Sequence, residues 1–212
     1  MKMTRRKFLW TFGAGVATTP FMVAGGLSYA LDVEPDWVEV NPLTLTLPRL
    51  HPAFAGYRLL QISDLHLDIG KTADRLPRIQ ALINAEAPDL IVITGDFITN
   101  EYGLSYYRKN LVDFLSGLQA KDGVAGILGN HDHWTNPDGV HQLLAEVGIW
   151  DMTNRVRTLE RGAGTLHLCG LDDYWSGKPD LEAVLKALPV ADAAILLMHE
   201  PDYADISSAT GR

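Results

Sequence analysis

From Tyr57 onward the chain alternates between two rhythms of apolar and polar positions. Short apolar runs, YRLLQIS at 57–63, DLIVIT at 89–94 and GVAGIL at 123–128, have the length and branched content of buried strands. Between them, residues 72–87 and 104–120 repeat apolar side chains every three or four positions, which predicts helices, and a third helix is expected over 136–147. Strands separated by helices imply βαβ crossovers, and hence a parallel sheet covered by helices. Residues 156–175 read as a hairpin turning at Gly162, Ala163 and Gly164, followed by a helix over 179–188 and a last buried strand over 193–198. Ahead of all this, residues 37–50 alternate as a half-buried strand or hairpin arm does, with Pro42 and Pro48 restricting it to a sheet edge.

Composition narrows the partners. At 212 residues, 47% hydrophobic and 21% charged, the chain suits one globular domain with a sizeable core. Four of its 18 basic residues, Lys2, Arg5, Arg6 and Lys7, lie at the head, leaving 14 against 26 acidic residues elsewhere. So acidic a body repels a nucleic-acid backbone, and no nucleic acid is expected as a partner. It would also repel an anionic substrate unless bound cations reverse the local field. The single cysteine, Cys169, excludes an intrachain disulfide and sits in an apolar run as a core residue.

Arg5 and Arg6 precede Phe8 and Leu9, and an uncharged, glycine-containing stretch then runs to Ala30. This resembles a twin-arginine export signal. Residues 8–30 are also long enough to span a bilayer at about 20 residues per span, so an anchoring helix with membrane association is the alternative. The expected organisation is therefore 1–30 as signal or anchor, 31–56 as an N-terminal strand region and 57–212 as the main domain. Export through the twin-arginine machinery would place the protein in the periplasm or on the outer face of the cytoplasmic membrane.

The polar residues that follow the strands carry the chemistry. QISDLH offers Asp64 and His66, VITGDF offers Asp96, GILGNHD offers Asn130, His131 and Asp132, and ILLMHEP offers His199. In an open parallel sheet these strand ends lie along one edge, where such folds place their ligands. Carboxylate, imidazole and amide oxygen together favour first-row divalent ions such as Mn, Fe or Zn over the all-oxygen shell of Ca or the thiolates of structural zinc. Two such ions could clamp a phosphoryl oxygen and activate a shared water, with an aspartate as bridge. The spacing of Asp64 and His66 would send both side chains from a strand end to the same side. Gly95 and Gly129 would let the backbone turn where a larger residue obstructs the ions.

DLH, GDF, GNHD and HEP, in that order and separated by strand–helix units, resemble the successive motifs of the calcineurin-like metallophosphoesterases. The resemblance spans residues 64–201 and implies a layered α/β sandwich of the metallophosphoesterase type with a parallel βαβ core. It implies two divalent metal ions (Mn, Fe or Zn), one bound by Asp64 and His66, the other by Asn130 and His199, with Asp96 bridging. His131 would contact the phosphoryl group and protonate the leaving oxygen, oriented by Asp132. The activity implied is hydrolysis of a phosphodiester or pyrophosphate bond in a small molecule or lipid-linked substrate. The twin-arginine head together with HEPD resembles the bacterial envelope phosphodiesterases of that family.

One motif of the family is absent. A Gly-His-x-His loop normally follows the strand ending in the residue corresponding to His199, and here ADISSATGR runs to Arg212. The domain is accordingly expected to be C-terminally incomplete, unless water or a partner chain fills the vacant positions. Two further functions stay open, a catalytically silent binding module of the same fold and a mononuclear metallohydrolase acting on substrates without phosphorus. Among the other polar residues, His133 and Trp134 fit either the rim of the site or a solvated loop, and His141 an exposed helix position. His167 reads as a surface strand residue, and His51 as a loop residue without a role. Asp172 and Asp173 fit a structural or substrate-side turn, and Glu200 an outer support of its neighbour.

Overall fold

The computed structural model describes residues 37–67 and 72–210, together with Val23, Gly26, Leu27 and Tyr29. The apolar runs form a parallel sheet in the order β1 (Leu59–Ile62), β2 (Leu90–Thr94), β3 (Gly123–Ile127) and β4 (Trp150–Asp151). Ile62 pairs with Ile93 and Thr94 with Ile127, so β1, β2 and β3 end level with one another. The connections carry α1 (Thr72–Ala85), α2 (Glu101–Ser116), α3 (Asn130–Thr135) and α4 (Pro137–Glu146). The alternation of strand side chains then sorts the core into layers. Ile91 and Ile93 pack with Leu111, Phe114, Leu115 and Leu143 from the helices, while Leu90 and Val92 pack on the opposite face against Leu166 and Leu168.

Those last two belong to a second sheet, ordered β5 (Arg155–Arg161), β6 (Gly164–Gly170) and β7 (Ala193–Leu197), in which β5 and β6 are antiparallel and β6 and β7 parallel. Its outer face is covered by α5 (Leu181–Ala187), whose Val184 packs with Cys169, Leu171 and Tyr203, the last of these just ahead of α6 (Ala204–Ser208). The result is a layered α/β sandwich, helices on sheet on sheet on helices, with the parallel βαβ core the hydrophobic rhythm predicts. From Leu45 onward the described residues form one compact unit.

The structure corrects several expectations. Residues 37–47 form no strand; they are irregular and mostly exposed, because an alternation carrying Pro42 offers a broken row of donors and finds no ladder to join. β4 and α3 were not foreseen, the first because it is two residues long and the second because its sequence reads as a polar turn. His167 is 2% exposed, not a surface residue. It points outward from β6 as predicted, but α5 covers that face, and the ring meets Thr158 Oγ1 at 2.9 Å. His51 caps the turn Pro52–Phe54 by accepting from the Ala53 amide at 3.2 Å. The signal or anchor expected over 1–30 lies outside the described residues but for four isolated positions, and among the described residues no helix is long and apolar enough to cross a membrane.

Candidate metal centre

Because β1, β2 and β3 end level, the loops after them meet at one edge of the sheet. The loop after β1 is laced to the loop after β2 by three amides: Asp64 donates to the Gly95 carbonyl at 3.1 Å, His66 to Asp96 at 3.1 Å and Leu67 to Phe97 at 3.3 Å. Asp64, His66 and Asp96 themselves lie at φ of 55°, 39° and 57°. Left-handed conformations cost a non-glycine residue roughly 1 kcal/mol or more, and here the surrounding hydrogen bonds hold them. Asp64 and His66 therefore lie beyond the last residue of β1, Ile62, and converge through loop conformation, not through strand alternation.

The side chains are then aimed by their outer partners. His199 Nδ1 donates to the Thr94 carbonyl at 2.6 Å, which turns Nε2 toward Asn130 Oδ1 at 3.0 Å and Asp96 Oδ1 at 3.5 Å. His66 Nδ1 lies 2.9 Å from Thr99 Oγ1, which leaves Nε2 3.4 Å from Asp96 Oδ2 and 3.7 Å from Asp64 Oδ1. Fixing one ring nitrogen so that the other faces a cation is how proteins orient ligating histidines. The potential ligand atoms of Asp64, Asp96 and His199 all lie within 4.8 Å of one another, and so do those of His66, Asp96 and His131. Asp96 is common to both groups. His131 stands in one of them, although the resemblance would leave it uncoordinated, and its ring meets that of His66 edge to face at 4.9 Å.

Asp132 does not take the role expected of it. Its carboxylate is fully buried and accepts four backbone amides: Asp96 at 2.9 Å, Gly129 at 3.0 Å, Phe97 at 3.0 Å and Ile98 at 3.3 Å. It holds the loop bearing Asp96, whereas the His131 ring is placed by the Thr99 carbonyl, 3.2 Å from Nδ1. Burial pushes the Asp132 carboxyl up to about 7, against the pull of these amides. Burial also opposes charge on His199, yet the Thr94 carbonyl and the carboxylates of Asp96, Glu200 and Asp64 outweigh it and raise its pKa. Thr94 and Thr99 orient these rings and were missed by sequence reasoning, since two of the three contacts come from main-chain carbonyls, which leave no mark on spacing.

Around this centre His133 Nε2 meets Asp172 Oδ1 at 2.7 Å, a pairing that raises the histidine pKa despite partial burial. His141 is half-buried and lies 3.2 Å from Asp151. A cavity of about 360 Å³ opens at the edge, lined by Asp64, Asn130, His199, Glu200 and Trp175 among others.

The donor set fits divalent cations. At the opposite edge of the sheet, Asp89 is paired with Lys121 at 2.9 Å and Arg161 at 3.3 Å, and Asp122 with Arg161 at 3.3 Å. Among the described residues no lysine or arginine pairs with Asp64 or Asp96, whose neighbours are imidazoles. Carboxylates clustered without a protein cation, beside histidines whose rings are oriented from behind, suit a metal that brings its own charge.

A two-sheet sandwich with mixed oxygen and nitrogen donors at its strand ends defines a metal-dependent hydrolase. The chain belongs to the calcineurin-like phosphoesterase family, whose pattern it matches over residues 57–212. It is 34% identical to the uncharacterised Bacillus subtilis metallophosphoesterase YkuE over 205 residues, 96% of this chain and 71% of that one. It is 34% identical to the UDP-2,3-diacylglucosamine pyrophosphatase LpxG of Chlamydia muridarum over 125 residues, 58% of this chain and 37% of that one. The phosphodiesterase YaeI of Escherichia coli is 25% identical over 96% of this chain and 72% of its own length. The chain thus spans well under half of the chlamydial relative. Family and relatives make it a phosphoester hydrolase that uses divalent metals.

Proposed function

We propose that the chain hydrolyses a phosphodiester or pyrophosphate bond at a dinuclear metal centre. Asp64, His66, Asp96, Asn130 and His199 are the ligands, Asp96 the bridge and His131 the group that protonates the leaving oxygen. The observation that carries this reading is that Asp96 belongs to both ligand groups, within 4.8 Å of each set of partners. Bound divalent cations would neutralise the carboxylates, polarise the phosphoryl oxygens and lower the pKa of a water. The chain's own residues do the rest. Asp132 fixes the loop that carries Asp96, Thr94 and Thr99 aim His199 and His66, and His131 presents Nε2 to the substrate while Nδ1 is held by the Thr99 carbonyl.

Two of the relatives named above are a phosphodiesterase and a UDP-2,3-diacylglucosamine pyrophosphatase, which supports a substrate of one of those two bond types. The paired Arg5 and Arg6 support a further reading in which residues 1–30 direct export to the cell envelope, ahead of a segment over 31–56 and the hydrolase domain over 57–212.

Elemental analysis of the purified protein, with hydrolysis of a chromogenic phosphodiester in the presence and absence of Mn, tests the proposal. About two ions per chain are expected, and His131→Ala should lose turnover while keeping both. Loss of an ion in His131→Ala would make His131 a ligand and not the proton donor. Absence of both metal and turnover in the wild type would leave the silent binding module as the better account.

A further inference from the structure

Trp175 shares the cavity at the metal centre with Asp64, Asn130 and His199, yet its indole is 62% exposed. An exposed tryptophan is ordinary in itself. This one stands on a loop tied down on both sides by buried carboxylates. The amide before it, of Tyr174, donates to Glu200 Oε2 at 3.0 Å, and the amide after it, of Ser176, to Asp173 Oδ2 at 2.5 Å. Asp172 closes the loop, accepting from the Asp173 amide at 2.9 Å, the Lys178 amide at 2.9 Å and His133 Nε2 at 2.7 Å. The ring of Tyr174 packs on Tyr203 at 5.0 Å and is not part of the cavity lining, which leaves Trp175 as the aromatic face presented to the cavity. Three buried carboxylates fix the backbone of the loop that carries this solvent-facing indole beside the candidate ligands, so the ordering entropy of that loop is already lost before anything binds.

The position relative to His131 says which part of a substrate is met. His131 groups with His66 and does not line the cavity, whereas Trp175 shares it with Asp64, Asn130 and His199. With His131 on the leaving oxygen, as proposed above, a substituent lying in the cavity beside Trp175 is one that stays on phosphorus. We propose that Trp175 is a specificity-determining residue that stacks on a planar aromatic ring, such as a nucleobase or aryl group, carried by the retained substituent of the phosphoester. The inference rests on the phosphodiester reading given above.

The test compares two substrates that share a leaving group, the p-nitrophenyl ester of thymidine monophosphate and methyl p-nitrophenyl phosphate, with the full chain and added Mn. In Trp175→Ala the KM for the thymidine ester should rise about tenfold with kcat within about twofold, as loss of one base–aromatic stack predicts. The methyl ester should be unchanged, and Trp175→Phe should recover most of the loss. Equal changes on both esters, which a merely structural role would give, or no change on either, would overturn the inference. If the wild type hydrolyses neither ester, the phosphodiester reading fails by itself. Calorimetric binding of thymidine monophosphate then decides the inference: about tenfold weaker binding to Trp175→Ala sustains it, and equal binding overturns it.

Discussion

Gly129→Ala separates the geometry of the centre from the stability of the fold. Gly129 has extended dihedrals, φ −107° and ψ −179°, so alanine adopts its backbone without strain, and any effect comes from the added methyl group. That methyl would stand 2.3 Å from Asp96 Oδ1, 2.8 Å from the Asp96 amide nitrogen and 2.8 Å from His199 Cε1. Ordinary contact begins near 3.4 Å, so the Asp96 carboxylate must withdraw by about 1 Å and His199 by roughly half that. Overpacking of this kind costs about 1–3 kcal/mol, and the lower chain entropy of alanine in the unfolded state returns about 0.4–1 kcal/mol. The net loss of stability should be no more than about 2.5 kcal/mol. A ligand misplaced by about 1 Å loses a metal bond that tolerates only a few tenths, and affinity for Mn should fall at least a hundredfold, by the scale at which such displacements act. Calorimetric titration with Mn and urea unfolding of the metal-free protein read the two quantities separately. Wild-type affinity in a folded Gly129→Ala protein would refute the placement of Asp96 at the centre.

Two further outcomes follow from groups away from the centre. The Asp151 carboxylate, 3.2 Å away, raises the pKa of His141, so the stability their pairing contributes is fully present below 6.5 and is lost as pH rises through the higher folded value. Although burial opposes it, the neighbouring His141 and the bond from the Thr153 amide depress Asp151 to about 2, and that contribution, present above 3.8, is lost as pH falls toward about 2. Replacing His141 by Ala should therefore destabilise by about 0.5–1.5 kcal/mol at pH near 5, and by less near 3 and above 8, a half-exposed pair being worth no more. Urea unfolding of both proteins across that range would contradict the pairing if the difference stayed constant. Burial pushes the Cys169 thiol up to about 11. Ellman's reagent should accordingly find no reactive thiol in the native chain at pH 8 and one in denaturant, and rapid native labelling would disprove the packing of α5 over that sheet.

The parallel core was legible because LIVIT at 90–94 and GVAGIL at 123–128 are apolar almost without interruption, the signature of strands covered on both faces, and because each run is followed by polar residues that a buried sheet edge tolerates only for a purpose. Residues 37–47 misled because alternation describes a side-chain pattern, while Pro42 removes a donor from the row of backbone amides that a ladder needs. His167 misled for a related reason. Its outward orientation was correct, but exposure depends on a covering helix whose position no periodicity records. The convergence of Asp64 and His66 was anticipated on the wrong ground, since left-handed loop conformations, held by amides across to Gly95 and Asp96, do what strand alternation was expected to do.

Asp132 shows why motif position and physical duty can part. A carboxylate next to His131 in sequence suggests a partner for its ring, but a residue one step along a helix points about 100° away. From the first turn of α3, Asp132 points back under the sheet edge, where the amides of Asp96, Phe97, Ile98 and Gly129 need an acceptor. The same stretch thus builds the centre in two directions, Asn130 and His131 facing the cavity edge and Asp132 securing the loop that brings Asp96 to them. The opposite edge of the sheet strengthens the argument for cations. There Asp89 and Asp122 are also carboxylates at strand starts, and the chain supplies Lys121 and Arg161 to neutralise them. At the candidate centre the fold places strained backbone, buried hydrogen bonds and oriented imidazoles around carboxylates and supplies no lysine or arginine among the described residues. Positive charge brought from outside the chain is what completes that arrangement electrostatically, and a phosphoryl group, itself anionic, can approach so acidic a protein only once that charge is in place.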